Sequence, residues 1–350
     1  MLRGLAILLV MTFHFFRNNF QFGWVGVDLF FVLSGFLITG KLVESMNSPG
    51  FLRSFYIRRI LRIVPLYFAV LVIFFLLLPS LKFDVFTTAV QSLSRQQWYY
   101  WTFSVNFLEA KHGWPANISL NHLWSIACEM QFYLIWPFVI RWVVNHRQAR
   151  IVAFLLLLLF AFVFRTLITD LLSLNYLANY VLPFSRIDAF AIGGFLYFYF
   201  TSSRPPNFRL LLLVGLASII IILILAFWFD LNWHYSNYPV QTVGYTLNAF
   251  FWGSVVGISC LSRFNDQFLY RCLAKAGKYS YGLYVFHVPV MVAVQKLIKE
   301  SSGDYRVILV ASISFFISIL LAVLSYHSYE RYFFRMRPAF TPIQKSRQVR

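Results

Sequence analysis

Arg3 and His14 stand eleven residues apart in the opening run MLRGLAILLVMTFHFF. On a helix that separation is about three turns, so guanidinium and imidazole share a face roughly 16 Å apart along the axis. An imidazole can take a proton near neutral pH, which makes His14 a candidate general base. Ionisable groups inside lipid are costly and mark candidate functional positions. Asp28 in GWVGVDLFFVLSGFLITG and Glu129 in NHLWSIACEMQFYLIWPF are such groups, each able to orient a protonated imidazole. His122, Ser125, Glu129 and Trp136 recur at helical spacing, so one face of that segment is polar. Arg186 and Asp188 in RIDAFAIGGF read as an ion pair with each other, or else as part of a substrate path. Ser280, Tyr284 and His287 share a face in YSYGLYVFHVPV.

A second kind of chemistry lies in FYIRRILRIVPLYF. Arg58, Arg59 and Arg62 crowd the start of an apolar run, and forked guanidinium groups suit phosphate. Arg58 and Arg62 are four apart and share a face. Phosphate-suited arginines at one level and a histidine with nearby carboxylates at another call for a carrier with phosphates at one end and a reactive group on a long arm. Coenzyme A fits that description.

These residues need membrane helices to position them. The chain has 350 residues, 60% hydrophobic and 12% charged, with a mean hydropathy of +0.68. Runs of about 20 nearly uncharged residues match a ~30 Å hydrocarbon core. The expected fold is all-α, a polytopic membrane protein with spans near 3–20, 24–42, 59–79, 121–143, 150–169, 181–201, 209–229, 241–262, 279–298 and 306–330. The segments 41–62, 141–150, 201–209, 262–278 and 331–350 are rich in Lys and Arg, whereas 170–180 and 230–240 have none. All basic segments face the cytoplasm if 80–120 is an external excursion that does not cross. Ten spans with both termini cytoplasmic follow. The first run lacks a small-residue cleavage site and reads as an uncleaved span. The membrane domain covers 1–335, a basic tail covers 336–350, and no further domain is expected.

The net charge of +18 is explained by topology, so no nucleic-acid partner is expected. Cys128, Cys260 and Cys272 are far apart. They read as small buried hydrophobes and not as metal ligands or disulfides, so no metal is expected.

Taken together, LRGLAILLVMTFH, GWVGVDLFFVLSGFLITG, FYIRRILRIVPLYF, HLWSIACEMQFYLIWP and SYGLYVFHVPV resemble, in order, the integral-membrane acyltransferase-3 family. RIDAFAIGG and SYHSYERYF are weaker matches. That family includes bacterial O-acetyltransferases acting on O-antigen, exopolysaccharide, peptidoglycan and macrolides. The resemblance implies that Arg3 and His14 are essential, with His14 the base, and that Arg58, Arg59 and Arg62 contact acyl-CoA. Where the family often has paired acids, this chain has Glu129 followed by Met130, which focuses any role on Glu129. Some members carry a fused periplasmic hydrolase-like domain, and none is expected here.

The expected function is transfer of an acyl group, acetyl first, from cytoplasmic acetyl-CoA to a hydroxyl of a surface or lipid-linked glycan. Arg3, His14, Asp28 and Glu129 form the catalytic set. Ser34, Arg186, Asp188, Tyr284 and His287 line the path, and an acyl-His or acyl-Ser34 intermediate ranks below direct transfer. The expected surroundings are membrane lipids of a bacterial inner membrane, with homo-oligomerisation open. A proton-coupled transporter and a non-catalytic anchor are the competing classes.

Overall fold

Every regular element is helical in the computed structural model, which describes residues 1–16, 20–80, 93–115, 119–172, 174–203, 205–229, 233–262, 268–298 and 304–337. The helices are α1 (Leu2–Phe15), α2 (Val25–Ser45), α3 (Phe51–Val72), α4 (Gln97–Trp101), α5 (Val105–His112), α6 (Trp124–Asn145), α7 (Arg150–Val163), α8 (Pro183–Phe200), α9 (Phe208–Trp228), α10 (Tyr245–Leu261), α11 (Phe268–Leu297) and α12 (Asp304–Ser325). Wider turns prolong α3 to Ser80, α7 to Leu171 and α12 to Met336.

Among the described residues, eight helical segments are long and apolar enough to cross a membrane, those built on α2, α3, α6, α7, α8, α9, α10 and α12. The protein is an all-α, multi-pass membrane protein. Three of the expected spans differ in their bounds. The third is expected over 59–79, but α3 begins at Phe51 and includes Arg53 and Arg58. The first is expected to run over 3–20, but α1 has 14 residues and ends at Phe15. It covers roughly 21 Å. Ala6, Ile7, Val10 and Met11 are buried among neighbouring helices, so protein and not lipid surrounds it. The ninth is expected to begin near 279, but α11 begins at Phe268 and includes Arg271, Lys275 and Lys278 in its first turns. Ser280, His287 and Gln295 lower the hydropathy of the rest.

Close helix crossings set the centre of the bundle. A methyl group at Gly4 would run into the Leu273 carbonyl oxygen, and one at Gly277 would press on the Gly4 amide. These glycines let α1 and α11 lie side by side. Gly35 and Gly193 do the same for α2 and α8, each facing backbone of the other helix. By contrast, α9 is apolar on all sides and exposes Leu213, Ile220, Leu223 and Phe227, as a lipid-facing helix does.

The ends of the helices sort into two groups. His14, Trp114, Asn121, Tyr180 and Tyr235 meet at one end of the bundle, and Met1, Ser262 and Tyr270 meet at another. Between α3 and α6, neither α4 nor α5 is long enough to cross, and the Asn175 amide donates to the Ala110 carbonyl at 3.0 Å, tying α5 to the Asn175 loop. Parts of the expected excursion, 81–92 and 116–118, and the tail from 338 onward lie outside the described residues. Cys128 is buried as expected, but Cys260 and Cys272 are exposed, because they sit on outward faces near the ends of α10 and α11.

Candidate active site

Histidines from three helical segments meet around His14. The His14 Nδ1 atom lies 2.9 Å from the Val10 carbonyl oxygen and 3.3 Å from His287 Nε2. His287 Nδ1 lies 2.7 Å from the Tyr284 carbonyl oxygen. A carbonyl can only accept, so Nδ1 carries the proton in both rings. His287 Nε2 is then an acceptor for His14, and Nε2 is the basic nitrogen of His14. His122 is within ring contact of His287, with centroids 5.1 Å apart. Its Nε2 donates to the Val285 carbonyl at 3.3 Å, and its buried Nδ1 has no hydrogen-bond partner.

His14 and His122 line a chamber of about 130 Å³, walled by Trp114, Trp124, Tyr180, Tyr235 and Tyr284. Val27 and Tyr284 also line a neck of about 40 Å³ that contains Arg3, Phe30, Glu129 and Ser280. Arg3 in turn lines a wider cavity of about 250 Å³ with Met1, Ser262 and Tyr270. These spaces form a row with shared walls, from Arg3 to His14. The Tyr284 hydroxyl donates to the His122 carbonyl at 2.9 Å and lies 2.5 Å from Ser125 Oγ, which fixes Tyr284 in the wall of the neck. Arg3 Nε donates to Ser280 Oγ at 3.3 Å. Both ends of α1 are thus fixed on α11.

The structure does not bring Asp28 or Glu129 to His14. Asp28 is fully buried and forms an ion pair with Arg186. Glu129 Oε1 accepts from Ser34 Oγ at 2.5 Å and from the Tyr133 hydroxyl, and it lines the neck beside Arg3. The imidazole is oriented by a carbonyl and a second histidine instead. Nor do Arg186 and Asp188 pair with each other. Asp188 Oδ2 takes Arg165 Nη1 at 2.8 Å and the Thr246 hydroxyl at 2.6 Å. Residues two apart on a helix point to nearly opposite sides, so α8 sends Arg186 toward α2 and Asp188 toward α7 and α10. These buried pairs hold the bundle and do not line the row of cavities. Of the expected path residues, Tyr284 lines it, His287 supports His14, and Ser34 is held by Glu129.

Arg59 stacks on the rings of Phe55 and Tyr133, at 5.8 and 5.5 Å. Arg62 and Arg59 are the like charges nearest Arg3, with Glu129 the nearby carboxylate. Arg58 is partly exposed on the same turn. Sequence reading missed Arg337. Its guanidinium is pushed down to about 10 by burial and by Arg62 and Arg59. Guanidinium groups from α1, α3 and the segment after α12 therefore crowd one region, an arrangement that favours an anion. The aromatic chamber wall was also missed, because Trp114, Tyr180 and Tyr235 come from connecting segments with no periodic signal.

Sequence comparison gives the family. An acyltransferase domain, that of the acyltransferase-3 family, matches residues 1–327. A Staphylococcus aureus protein named "Putative O-acetyltransferase" is 28% identical over 97% of this chain and 59% of its own length. The Bacillus subtilis protein YrhL, named "Putative peptidoglycan O-acetyltransferase", is 28% identical over 94% of this chain and 53% of its own length. The peptidoglycan O-acetyltransferase OatA of Listeria monocytogenes is 33% identical over 41% of this chain and 24% of its own length. The chain thus spans little more than half the length of the relatives it matches end to end. No solved structure matches it. With the profile covering nearly the whole bundle, from Arg3 on α1 to the end of α12, the chain belongs to the acyltransferase-3 family.

Proposed function

We propose that the protein transfers an acyl group, acetyl in the first instance, from cytoplasmic acyl-CoA to a hydroxyl of a cell-surface or lipid-linked glycan. The observation that carries this reading is the row of cavities with shared walls, which joins the Arg3 region to the His14 chamber. The basic ends of the helices face the cytoplasm in this reading, and the Trp114 end faces outward. The names of the relatives support acetyl as the group and a glycan as the acceptor.

The donor's phosphates sit among Arg59, Arg62 and Arg3, and its arm runs through the neck. The neck, at about 40 Å³, is the narrowest of the three spaces along this path. In the chamber, His14 Nε2 takes the proton of the acceptor hydroxyl as the oxygen attacks the thioester carbon. The tetrahedral intermediate collapses, the carbon–sulfur bond breaks, and the thiolate takes the proton back from the imidazolium. His287 Nε2 and the Val10 carbonyl hold the Nδ1 proton of His14 throughout. His122 Nδ1, an acceptor because Nε2 carries the proton, can take a bond from a neighbouring hydroxyl of the sugar.

The test is donor binding to the full chain in lipid nanodiscs. Arg59→Ala with Arg62→Ala weakens acetyl-CoA binding at least tenfold, since a bond to a charged group is worth about 1.5–3 kcal/mol. Binding of acetyl-pantetheine, which lacks the nucleotide, stays as it was. Equal loss for both ligands would assign the arginines to the fold and contradict the reading.

A further inference from the structure

An apolar groove lies on the flank of the bundle, among helices that the row of cavities does not use. It measures about 150 Å³, and its lining comes from four helices, with Phe154 on α7, Phe195 on α8, Val214 on α9 and Phe250 on α10. Among the described lining residues only Tyr199 and Ser254 carry a polar side-chain atom. Two of these helices face lipid: α7 exposes Leu155 and Leu159, and α9 exposes Leu213 and Ile220. Leu210 both lines the groove and is exposed, so the groove opens on the lipid side.

The groove lies toward the basic ends of these helices. Phe154 stacks on Phe195, with ring centroids 4.5 Å apart. One turn nearer the start of α7 is Arg150, and its guanidinium carbon lies 4.6 Å from the ring centre of Phe198, one turn nearer the end of α8. Arg150 therefore stands at the basic end of the groove. Its Nε donates to the Val143 carbonyl at 3.4 Å, which ties it to α6. Tyr199 marks the same end, and its hydroxyl accepts from the Asn207 amide at 2.7 Å, just before α9. Arg209, which is exposed, immediately precedes Leu210. Neither 141–150 nor 201–209 contains an acidic residue, so the end of the groove is positive.

An apolar trough open to lipid, with a guanidinium at one end, matches an acyl chain joined to a phosphate. Basic pockets between membrane helices suit anionic headgroups, and a guanidinium that lies on a ring can pair with phosphate through its edge. We infer that this groove is a binding site for an anionic phospholipid, with an acyl chain along Phe154, Phe195 and Val214 and the phosphate at Arg150. The inference does not depend on the transfer reaction.

The experiment uses the full chain, stripped of lipid in detergent and followed by native mass spectrometry with added phosphatidylglycerol or phosphatidylcholine of matched chains. Phosphatidylglycerol is expected to bind the native chain about tenfold more tightly, the size of one charge-assisted bond. Arg150→Gln, which keeps a donor for the Val143 carbonyl, removes that preference. Arg271→Ala, which removes a charge from another basic segment, leaves it. Val214→Trp fills the groove and weakens both lipids alike, and glycerol 3-phosphate, which has no chains, does not displace the lipid. Thermal unfolding of each variant reports on its fold. Equal affinity for the two lipids in the native chain, a preference that survives Arg150→Gln or is lost equally in Arg271→Ala, or unaltered lipid affinity in Val214→Trp would overturn the site. Displacement by glycerol 3-phosphate would overturn it in favour of a soluble phosphate, and a lipid-free dimer that Val214→Trp dissociates would give the groove to a second copy.

Discussion

His14 is held by its Nδ1 side, where the partners among the described residues are a carbonyl and a second imidazole and not a carboxylate. Its neighbours are the Val10 carbonyl and His287 Nε2. His287→Phe removes the second acceptor and lowers kcat about tenfold, the worth of a hydrogen bond of about 1–1.5 kcal/mol. Donor affinity stays as it was. Because Glu129 contacts Ser34 and Tyr133 instead, Glu129→Gln leaves the acid limb of the pH–rate profile in place. That limb arises as the base becomes protonated, and a shift of the limb in Glu129→Gln would show that the carboxylate reaches His14 after all. Glu109, buried on α5, gives a separate pH prediction, on stability. Its carboxyl keeps its proton in the folded chain to higher pH than in the unfolded chain, so the folded state binds more protons. The stability it contributes is present below the ordinary glutamate range and is lost as pH rises toward the folded value. Thermal unfolding of Glu109→Gln therefore weakens less between about pH 4.5 and neutrality than that of the native chain. Identical pH dependence in the two would rule out a buried neutral acid. At this scale Arg3 and His14 were legible because one helix fixes their relation. Their partners were not, since His287 comes from a helix more than 270 residues away.

Between helices, the charged pairs act as structural ties. Asp28 with Arg186 joins α2 to α8, and Asp188 with Arg165 joins α8 to α7. Removing one member of a buried pair costs about 3–5 kcal/mol because the other charge is left alone. Asp28→Ala is expected to lose that much stability, and Asp28→Ala with Arg186→Met to regain most of it, measured as thermal unfolding in detergent. Loss of activity without loss of stability in Asp28→Ala would instead put Asp28 in the chemistry. The helices themselves followed from apolar run length and basic ends. Three boundaries did not, and α3 is one of them, since it begins at Phe51 within a basic segment. The α1 helix is shorter than its apolar run suggested because protein surrounds it, and α11 continues into a basic segment that hydropathy treats as a break. The cross-pairing of Arg186 and Asp188 was readable in principle from their two-residue spacing.

For the whole molecule, the grouping of helix ends fits the proposed orientation, with the aromatic segments outward and the basic segments inward. Ser236 lies in the segment bearing Trp233 and Tyr235, near the chamber. A cysteine placed there in a cysteine-free chain reacts with an impermeant maleimide in intact cells, and labelling only after permeabilisation would invert the orientation. A row of cavities across a membrane protein also suits a carrier, so the decisive measurement separates transfer from transport. The full chain is reconstituted into sealed vesicles, and its orientation is scored by Ser236→Cys labelling. Acetyl-CoA with a radiolabelled acetyl group is placed on the face bearing Arg59 and Arg62, and a β-1,4-linked tetrasaccharide of N-acetylglucosamine on the opposite face. The account predicts a base-labile labelled ester on the sugar, coenzyme A left on the donor face, and neither product with His14→Ala. Ester formed only when donor and acceptor share a face, or label that crosses as intact acetyl-CoA, would contradict it.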